Sequence, residues 1–255
     1  MKTIEKITMI TDFGDFYPGV MKGVILNIYP NAKIIDITHS VEPQNIIQGA
    51  FLLQNYYKFF DEAVHVAVVD PGVGSGREAI MAESNDSIFV APNNGILSGV
   101  LDDCNEIFKI DTDKISRYAK GTSLTFHGRD VFAPAAALAA LGKTEEISEP
   151  FLKKPRRIKL FNPEINDKKV RCFVTYIDRF GNVVTDLKRE LIEESRGFLI
   201  NDTYFPFVNA YSDVEIGEPL ALIGSFNTLE FGLRNGNASK RYGIVCGKLK
   251  FEIVA

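Results

Sequence analysis

The sequence between residues 63 and 83, AVHVAVVDPGVGSGREAIMAE, decides the fold of the first half of the chain. Its opening run is almost entirely apolar, which is typical of a buried strand, and 79–83 is strand-like again. Glycine loops that cradle a cofactor phosphate lead from a strand into a helix. Here a strand follows, and Arg77 and Glu78 stand where a P-loop has its lysine and hydroxyl residue. The glycines are therefore interpreted as shaping a compact turn.

The segments upstream of this turn alternate between two periodicities. Strand-like runs occupy 6–12 and 33–38, and apolar residues at helical spacing occupy 19–30 and 45–60. With the strand at 63–70 the order is β-α-β-α-β, which predicts an α/β domain with a mostly parallel sheet and flanking helices. The pattern D-x-G-x-G-x-G is also that of the first motif of a Rossmann-type methyltransferase, but here it follows the third strand instead of the first.

Downstream of the turn, the segments 79–83 and 87–92 are predicted to be strands joined by a turn. A helix is predicted over 130–141, with Asp130 as its N-cap and Pro134 in its first turn. Residues 143–170 are charged and contain several prolines, which indicates a domain boundary.

The remainder of the chain is predicted to be a smaller all-β domain, either a barrel or a sandwich. The segments that indicate strands are CFVTYID, NVVTDL, GFLI, YFPFV, PLALIG, YGIVCG and KLKFEIV. The predicted division is an N-terminal α/β domain over 1–160 and a C-terminal β-domain over 161–255.

Composition excludes several classes of protein. The 255 residues carry a formal net charge of −4 with scattered basic residues, which argues against a nucleic-acid partner. Three widely spaced cysteines argue against a disulfide framework or a structural zinc. The first fifteen residues lack an apolar signal region, and no run reaches the ~20 apolar residues of a membrane span. We expect a cytoplasmic protein with a small-molecule substrate and no membrane partner.

Candidate functional residues cluster where predicted strands end. Asp12 and Asp70 each end a strand, and the carboxyl edge of an open α/β sheet is where ligands bind. Arg77 can fold back across the compact loop onto Asp70 and form a charge-assisted pair. On this motif alone, the pair is equally well interpreted as a structural clasp of the loop.

The three histidines differ in their surroundings. His127 lies in a predicted turn before a helix, at the edge that holds Asp12 and Asp70, which makes it a candidate catalytic group. His65 lies inside an apolar strand and is interpreted as structural. His39, in DITHSVEP, is left undecided.

Five motifs taken together resemble the S-adenosyl-L-methionine hydroxide adenosyltransferase family, whose relatives include fluorinating and chlorinating enzymes. They are MITDFGD (9–15), VVDPGVGSGR (68–77), APNNG (91–95), TFHGRDVFAPAAA (125–137) and YIDRFGNVVTDL (176–187). The resemblance extends over nearly the whole chain and implies an α/β domain followed by a β-domain. It implies hydrolysis of S-adenosyl-L-methionine to adenosine and L-methionine, by attack of water or hydroxide on the ribose 5′ carbon, without a metal or cofactor.

The resemblance also implies roles for individual residues. It assigns Asp70, Arg77 and His127 as a catalytic triad, with the choice of general base between Asp70 and His127 left open, and Asp12 as the ligand of the ribose diol. Further substrate contacts are implied for Asp178, Phe180, Asn182, Ser225, Glu230, Asn237 and Ala238. Phe226, Asn227 and Thr228 depart from the usual family spelling beside Ser225.

The family implies a homotrimer with sites between subunits. Two alternatives remain: a halide adenosyltransferase, or a non-catalytic protein that binds adenosine or S-adenosyl-L-methionine. The halogenating relatives carry an extra loop and lack the histidine, whereas here the interval from Gly95 to His127 is short and His127 is present. A binding protein would have no need for the triad.

Overall fold

A computed structural model describes residues 3–118, 121, 123–192 and 195–254. The chain divides into two compact units, Met1–Ile158 and Lys159–Ala255. Each unit is described by itself below.

The first unit consists of a sheet and the helices that cover it. Its strands are β1 (Lys6–Thr11), β2 (Lys33–Thr38), β3 (Ala63–Val68), β4 (Ala79–Glu83), β5 (Ser87–Pro92), β6 (Glu106–Ile110) and β7 (Ser148–Pro150). Its helices are α1 (Phe16–Ile28), α2 (Ile46–Tyr56), α3 (Thr112–Ile115), α4 (Ala133–Ala140) and α5 (Thr144–Ile147). The β-α-β-α-β order and the strands after the glycine turn are as the sequence predicts.

The sheet has the strand order β2-β1-β3-β5-β4-β6-β7. The first four strands are parallel, and the remaining pairs are antiparallel, so the sheet is mixed rather than mostly parallel. In the β1–β3 register Thr11 lies opposite Val68. Asp12 and Asp70 therefore follow neighbouring strands at the same edge, as expected.

The predicted helix at 130–141 begins earlier than expected and begins irregularly. A π-helical turn, Gly128–Phe132, leads directly into α4. The N-cap prediction for Asp130 is wrong, because Asp130 lies inside this turn, where its buried carboxylate accepts hydrogen bonds from Ser123 N and the Arg129 side chain. Pro134 does lie in the first turn of α4, as predicted. Every residue of α4 is buried, since its alanines let it lie close to α1 and β3.

The second unit is an antiparallel sheet that curls almost into a barrel. Its strands are β8 (Glu164–Asn166), β9 (Lys169–Ile177), β10 (Val183–Lys188), β11 (Gly197–Ile200), β12 (Thr203–Pro206), β13 (Pro219–Ile223), β14 (Thr228–Leu233) and β15 (Gly247–Val254), and its helix is α6 (Ala238–Tyr242). The main path is β12-β11-β15-β9-β10-β14-β13. Val208 N donates to Ala221 O beside a bridge between Phe207 and Ala221, which brings the two ends of the path together. This architecture confirms the predicted all-β domain.

Three details of the second unit were not predicted, the first being the short strand β8, which lies in the segment interpreted as a domain boundary. YGIVCG (242–247) was expected to be a strand, but it contains the end of α6 and the turn that follows, with Gly243 in the left-handed region at φ 65°. The expectation was wrong because Asn237 caps a short helix, its side chain accepting from Lys240 N at 2.7 Å. Strand β14 was missed because Glu230 and Gly232 interrupt its apolar pattern.

Within the described residues, no helix is both long enough and apolar enough to span a membrane.

His65 is buried in the sheet of the first unit within a cage of aromatic rings. It is 0% exposed, stacks on Phe89 at 5.1 Å between ring centroids, and meets Tyr56, Tyr57 and Phe60 edge-on. Burial lowers the pKa of His65 to about 3, because a charged imidazolium cannot be hydrated there. This supports the structural interpretation of His65.

We expect His65 to make the protein acid-labile. Its folded pKa lies below its unfolded value, so the unfolded chain binds the extra proton and stability is lost as pH falls from about 6.5 towards 3. Between pH 7 and pH 5 this residue removes about 2 kcal/mol of unfolding free energy. Urea unfolding of wild type and His65→Phe at both pH values tests this, and an equal loss of stability in the two proteins would contradict it.

Candidate active site

The turn between β3 and β4 brings the two ends of DPGVGSGR together. Val73 N donates to Asp70 O and Ser75 N donates to Gly72 O, so the chain reverses within a few residues. Gly74 has φ 76°, and a Cβ there would lie 2.6 Å from the carbonyl oxygen of Leu124. A side chain at this position is therefore unfavourable for two reasons: the positive φ strains any residue other than glycine, and the Cβ would clash with the Leu124 carbonyl.

Arg77 folds back onto Asp70, as expected. Its Nε donates to Oδ1 and Oδ2 of Asp70 at 2.9 and 3.0 Å, and its Nη2 also donates to Oδ2. The two side chains are only 11% and 3% exposed. The Arg77 guanidinium also lies over the ring of Phe132, 5.1 Å from its centroid. A planar guanidinium suits this site because it can hold a carboxylate through several donors at once.

His127 joins this pair. Nη2 of Arg77 lies 3.2 Å from Nδ1 of His127, and because arginine can only donate, Nδ1 is the acceptor and the neutral ring carries its proton on Nε2. Burial, and then the positive charge of Arg77, lower the pKa of His127 below its ordinary value. The three residues therefore form one hydrogen-bonded cluster with a neutral imidazole.

Gly128 lets the His127 turn lie close to the sheet. A Cβ at Gly128 would lie 2.8 Å from the Phe13 ring, 3.0 Å from the Phe126 ring and 3.1 Å from the Met21 sulfur. The π-helical turn that begins here adds a residue to one turn of helix, a distortion often found at functional sites.

A cavity of about 460 Å³ opens beside the cluster. Asp70, Val73, His127 and three aromatic residues, Phe13, Tyr17 and Phe126, contribute to its lining. The three aromatic rings contact one another edge-on, with centroids 5.0 to 6.3 Å apart. Their part in the cavity was not predicted, because only the fold brings the rings of 13–17 and 126 together. The cavity combines apolar walls with a few polar groups, as small-molecule sites commonly do.

Asp12 lies at the same sheet edge as this cavity. It is half-buried, and its Oδ2 accepts from Gln44 N at 2.8 Å. The next residue, Phe13, lines the cavity.

In the second unit, the turn DRFGN is organised by Asp178. Oδ1 accepts from the backbone N–H groups of Phe180 and Asn182 at 2.9 Å each, and Oδ2 accepts from the Asn182 side chain at 2.9 Å. The Phe180 side chain is 75% exposed. Gly181, with φ 89°, lies so close to Asn237 that a Cβ would overlap the Asn237 side chain. The turn and the N-terminus of α6 are thereby in contact.

Glu230 lies buried on β14 near the DRFGN turn. Burial, reinforced by the negative charge of Asp178, raises the pKa of the Glu230 carboxyl even though the Tyr211 hydroxyl donates to it. Tyr211 was not predicted, because a separation of nineteen residues from Glu230 gives no sequence signal.

The other predicted contacts of the second unit differ in exposure. Ser225 is exposed in the β13–β14 turn and lines a separate cavity of about 420 Å³, while Ala238 is fully buried at the start of α6. The structure therefore groups Asp178, Asn182, Glu230 and Asn237, with Ser225 at the neighbouring turn.

Comparison with known proteins agrees with this architecture. Residues 7–148 match the model of the SAM hydroxide adenosyltransferase N-terminal domain, and residues 172–249 match that of its C-terminal domain. An (R)-S-adenosyl-L-methionine hydrolase of Methanocaldococcus jannaschii is 35% identical over 93% of this chain and 91% of its own length. A fluorinase of Actinopolyspora mzabensis is 24% identical, with 93% of each chain covered.

A crystal structure of an uncharacterized conserved protein from Thermotoga maritima is 34% identical, with 98% of this chain and 100% of the other covered and a TM-score of 0.86. Because the two domain models match in order over most of the sequence, the chain belongs to the SAM hydroxide adenosyltransferase family.

Proposed function

We propose that this protein hydrolyses S-adenosyl-L-methionine to adenosine and L-methionine, with Asp70, Arg77 and His127 as its catalytic residues. The observation that carries the proposal is the hydrogen-bonded Asp70–Arg77–His127 cluster beside a cavity of about 460 Å³. The name of the Methanocaldococcus jannaschii relative, which is similar over nearly its whole length, supports the same reaction.

The proposed nucleophile is a water molecule held between Arg77 and His127. Arg77 Nη2 donates to the water oxygen instead of to the ring, which frees Nδ1 of His127 to take a proton from the water. A lone pair of the water oxygen forms the bond to the ribose 5′ carbon. The bond from that carbon to sulfur breaks at the same time, and the electron pair of the broken bond stays on sulfur. We assign His127 as the base because the Asp70 oxygens are already occupied by Arg77.

This reaction needs no metal or cofactor in our proposal. The leaving group begins as a positively charged sulfonium and departs as a neutral thioether, so no Lewis acid is required to stabilise it. As the water loses its proton to His127 it becomes hydroxide-like and is attracted to the sulfonium, and exclusion of bulk water from the cavity strengthens that attraction.

The remaining predicted residues are proposed to bind the substrate. Asp12 can accept hydrogen bonds from both ribose hydroxyls, because one carboxylate has two acceptor oxygens. A substrate ammonium group would bind near Glu230 and Asp178 and favour the ionised form of Glu230, whose pKa is raised by burial and then by the charge of Asp178. Adenine would stack on the exposed ring of Phe180 and lie at Asn237 and Ala238. Asn182 and Ser225 complete the proposed contacts to the ribose and amino-acid ends.

The assembly is proposed to be a cytoplasmic homotrimer in which sites lie between subunits. Repeated heterologous contacts of this kind close into a ring. Each site would take the Asp70 group from one subunit and the Asp178 group from another.

A halide adenosyltransferase is the second candidate. The similarity to the Actinopolyspora mzabensis fluorinase supports a shared substrate class. Water is favoured over halide because the hydrolase is the more similar relative and because a neutral His127 can accept a proton, which a halide nucleophile does not have to lose.

Incubation with S-adenosyl-L-methionine in ¹⁸O water without halide tests the reaction. We expect adenosine labelled at its 5′ oxygen, together with an equal amount of methionine, by mass spectrometry. His127→Ala serves as the control and should bind substrate without turnover. Tight binding without products in wild type would overturn the proposal in favour of a binding protein.

The pH dependence of kcat/KM tests His127 as the base. Because the pKa of His127 is lowered, its neutral form persists into acid, and we expect the acidic limb of the profile to lie below pH 6.5. His127→Asn should lower kcat about 10²- to 10⁴-fold and abolish this limb. A limb that is unchanged in His127→Asn would assign the base to another group.

Co-expression of Asp70→Asn and Asp178→Asn subunits tests the shared site. Each variant alone should be inactive, whereas random mixing in a trimer leaves both halves intact in about a quarter of the sites. We expect about a quarter of wild-type activity from the whole co-expressed preparation, and about a third from purified mixed trimers, each of which has one intact site of three. Inactive mixed trimers of normal mass by native mass spectrometry would contradict a site shared between subunits.

A further inference from the structure

His39, left undecided by the sequence, lies at the centre of a partly buried chain of polar groups beside Asp12. Its Nδ1 lies 2.9 Å from the hydroxyl oxygen of Thr11, the residue immediately before Asp12. Its Nε2 lies 3.0 Å from Oδ1 of Asp36, within ion-pair distance. Thr11 is 0% exposed, so this hydroxyl has exchanged water for protein partners.

The direction of the chain follows from what each group can donate. A carboxylate only accepts, so the contact with Asp36 favours a proton on His39 Nε2 and leaves Nδ1 as an acceptor for the Thr11 hydroxyl. The Thr11 oxygen in turn accepts from Phe13 N at 3.3 Å. The chain of contacts therefore runs from Asp36 through His39 and Thr11 to the N–H group of Phe13, which belongs to the peptide bond that follows Asp12.

Backbone contacts strengthen the link between the two loops. Gly14 N donates to His39 O at 2.9 Å, and Val41 N donates to Thr11 O at 3.3 Å. Gln44 N donates directly to the Asp12 carboxylate at 2.8 Å. The loop after β2 thus holds the residues on both sides of Asp12 as well as one of its carboxylate oxygens.

The charges around His39 keep Asp36 ionised. Although partial burial raises the pKa of the Asp36 carboxyl, the ammonium of Lys22 and the His39 ring outweigh it, so that this pKa lies below its usual value. An ionised Asp36 favours the His39 proton on Nε2 by charge attraction at 3.0 Å, without a well-aligned hydrogen bond.

We propose that His39, oriented by Asp36, is a positioning residue that acts through Thr11 and the Phe13 peptide to aim the Asp12 carboxylate at the ribose hydroxyls of the substrate. Asp12 has one oxygen committed to Gln44, so its orientation decides whether it meets one ribose hydroxyl or both. The inference rests on the proposed function, in which Asp12 binds the ribose diol. It assigns to His39 a part in selectivity for ribose over deoxyribose.

Binding of adenosine and 2′-deoxyadenosine, measured by calorimetry without turnover, tests this role. In wild type we expect adenosine to bind more tightly. In His39→Ala, we expect the affinity for adenosine to fall about tenfold, as for a weakened hydrogen bond to a charged group, with little change for 2′-deoxyadenosine. Thr38→Ala is the matched control, because Thr38 ends β2 directly before His39 and its hydroxyl accepts a local bond from Ser40 N.

A double-mutant cycle with Asp12→Asn shows whether His39 acts through Asp12. In the Asp12→Asn protein the preference for ribose should already be lost, and adding His39→Ala should change it no further. An equal loss of affinity for both nucleosides in His39→Ala, or an effect that adds fully to that of Asp12→Asn, would overturn the inference and leave His39 a structural residue.

The outcome is separable from the proposed function. Hydrolysis by wild type with unchanged nucleoside preference in His39→Ala would keep the function and overturn the role of His39. A wild type that neither hydrolyses S-adenosyl-L-methionine nor binds adenosine would overturn both.

Discussion

An aspartate and an arginine whose side chains are 3% and 11% exposed have lost most of their hydration, and close hydrogen bonding must compensate for that loss. The first unit meets this requirement by ending β3 at Asp70 and returning the chain to Arg77 within one tight turn. The glycines are needed for this purpose, since a side chain at Gly74 would collide with Leu124. The shape of the turn is therefore set by the need of buried Asp70 and Arg77 to form hydrogen bonds with each other.

The charge state of His127 follows from the same pair. Arg77 cancels the charge of Asp70, and burial together with the arginine keeps the imidazole neutral. A site with a strong net negative charge would bind a sulfonium substrate tightly in its ground state. It would hold the transition state less well if it lay against sulfur, because positive charge leaves sulfur as its bond to carbon breaks and passes through the attacking water to His127. A cluster with little net charge avoids this loss of catalytic advantage.

Sequence patterns predicted those parts of the molecule that depend on local periodicity. The alternation of strands and helices up to Asp70, and the all-β character of the second unit, follow from the spacing of apolar residues. The turn between 79–83 and 87–92 predicted one antiparallel pair of the first sheet, but the pairing of β6 and β7 was not predicted, because it depends on which strands become neighbours. Asp130 was mistaken for a cap because the π-helical turn that precedes α4 has no periodic signature.

The residues of the candidate site likewise fall into those that local sequence order could locate and those that it could not. Asp70, Arg77 and Asp12 could be located because strand ends and a short turn bring them to one edge, which is a property of the chain's local order. Tyr211 and His39 act on other residues, and their positions depend on tertiary contacts between segments separated by many residues. Such supporting groups set the direction in which a carboxylate points, so a correct prediction of the groups that contact substrate still leaves selectivity undetermined. In this protein, selectivity for ribose over deoxyribose is expected to depend on such a supporting residue, His39, as well as on the residues that contact the substrate.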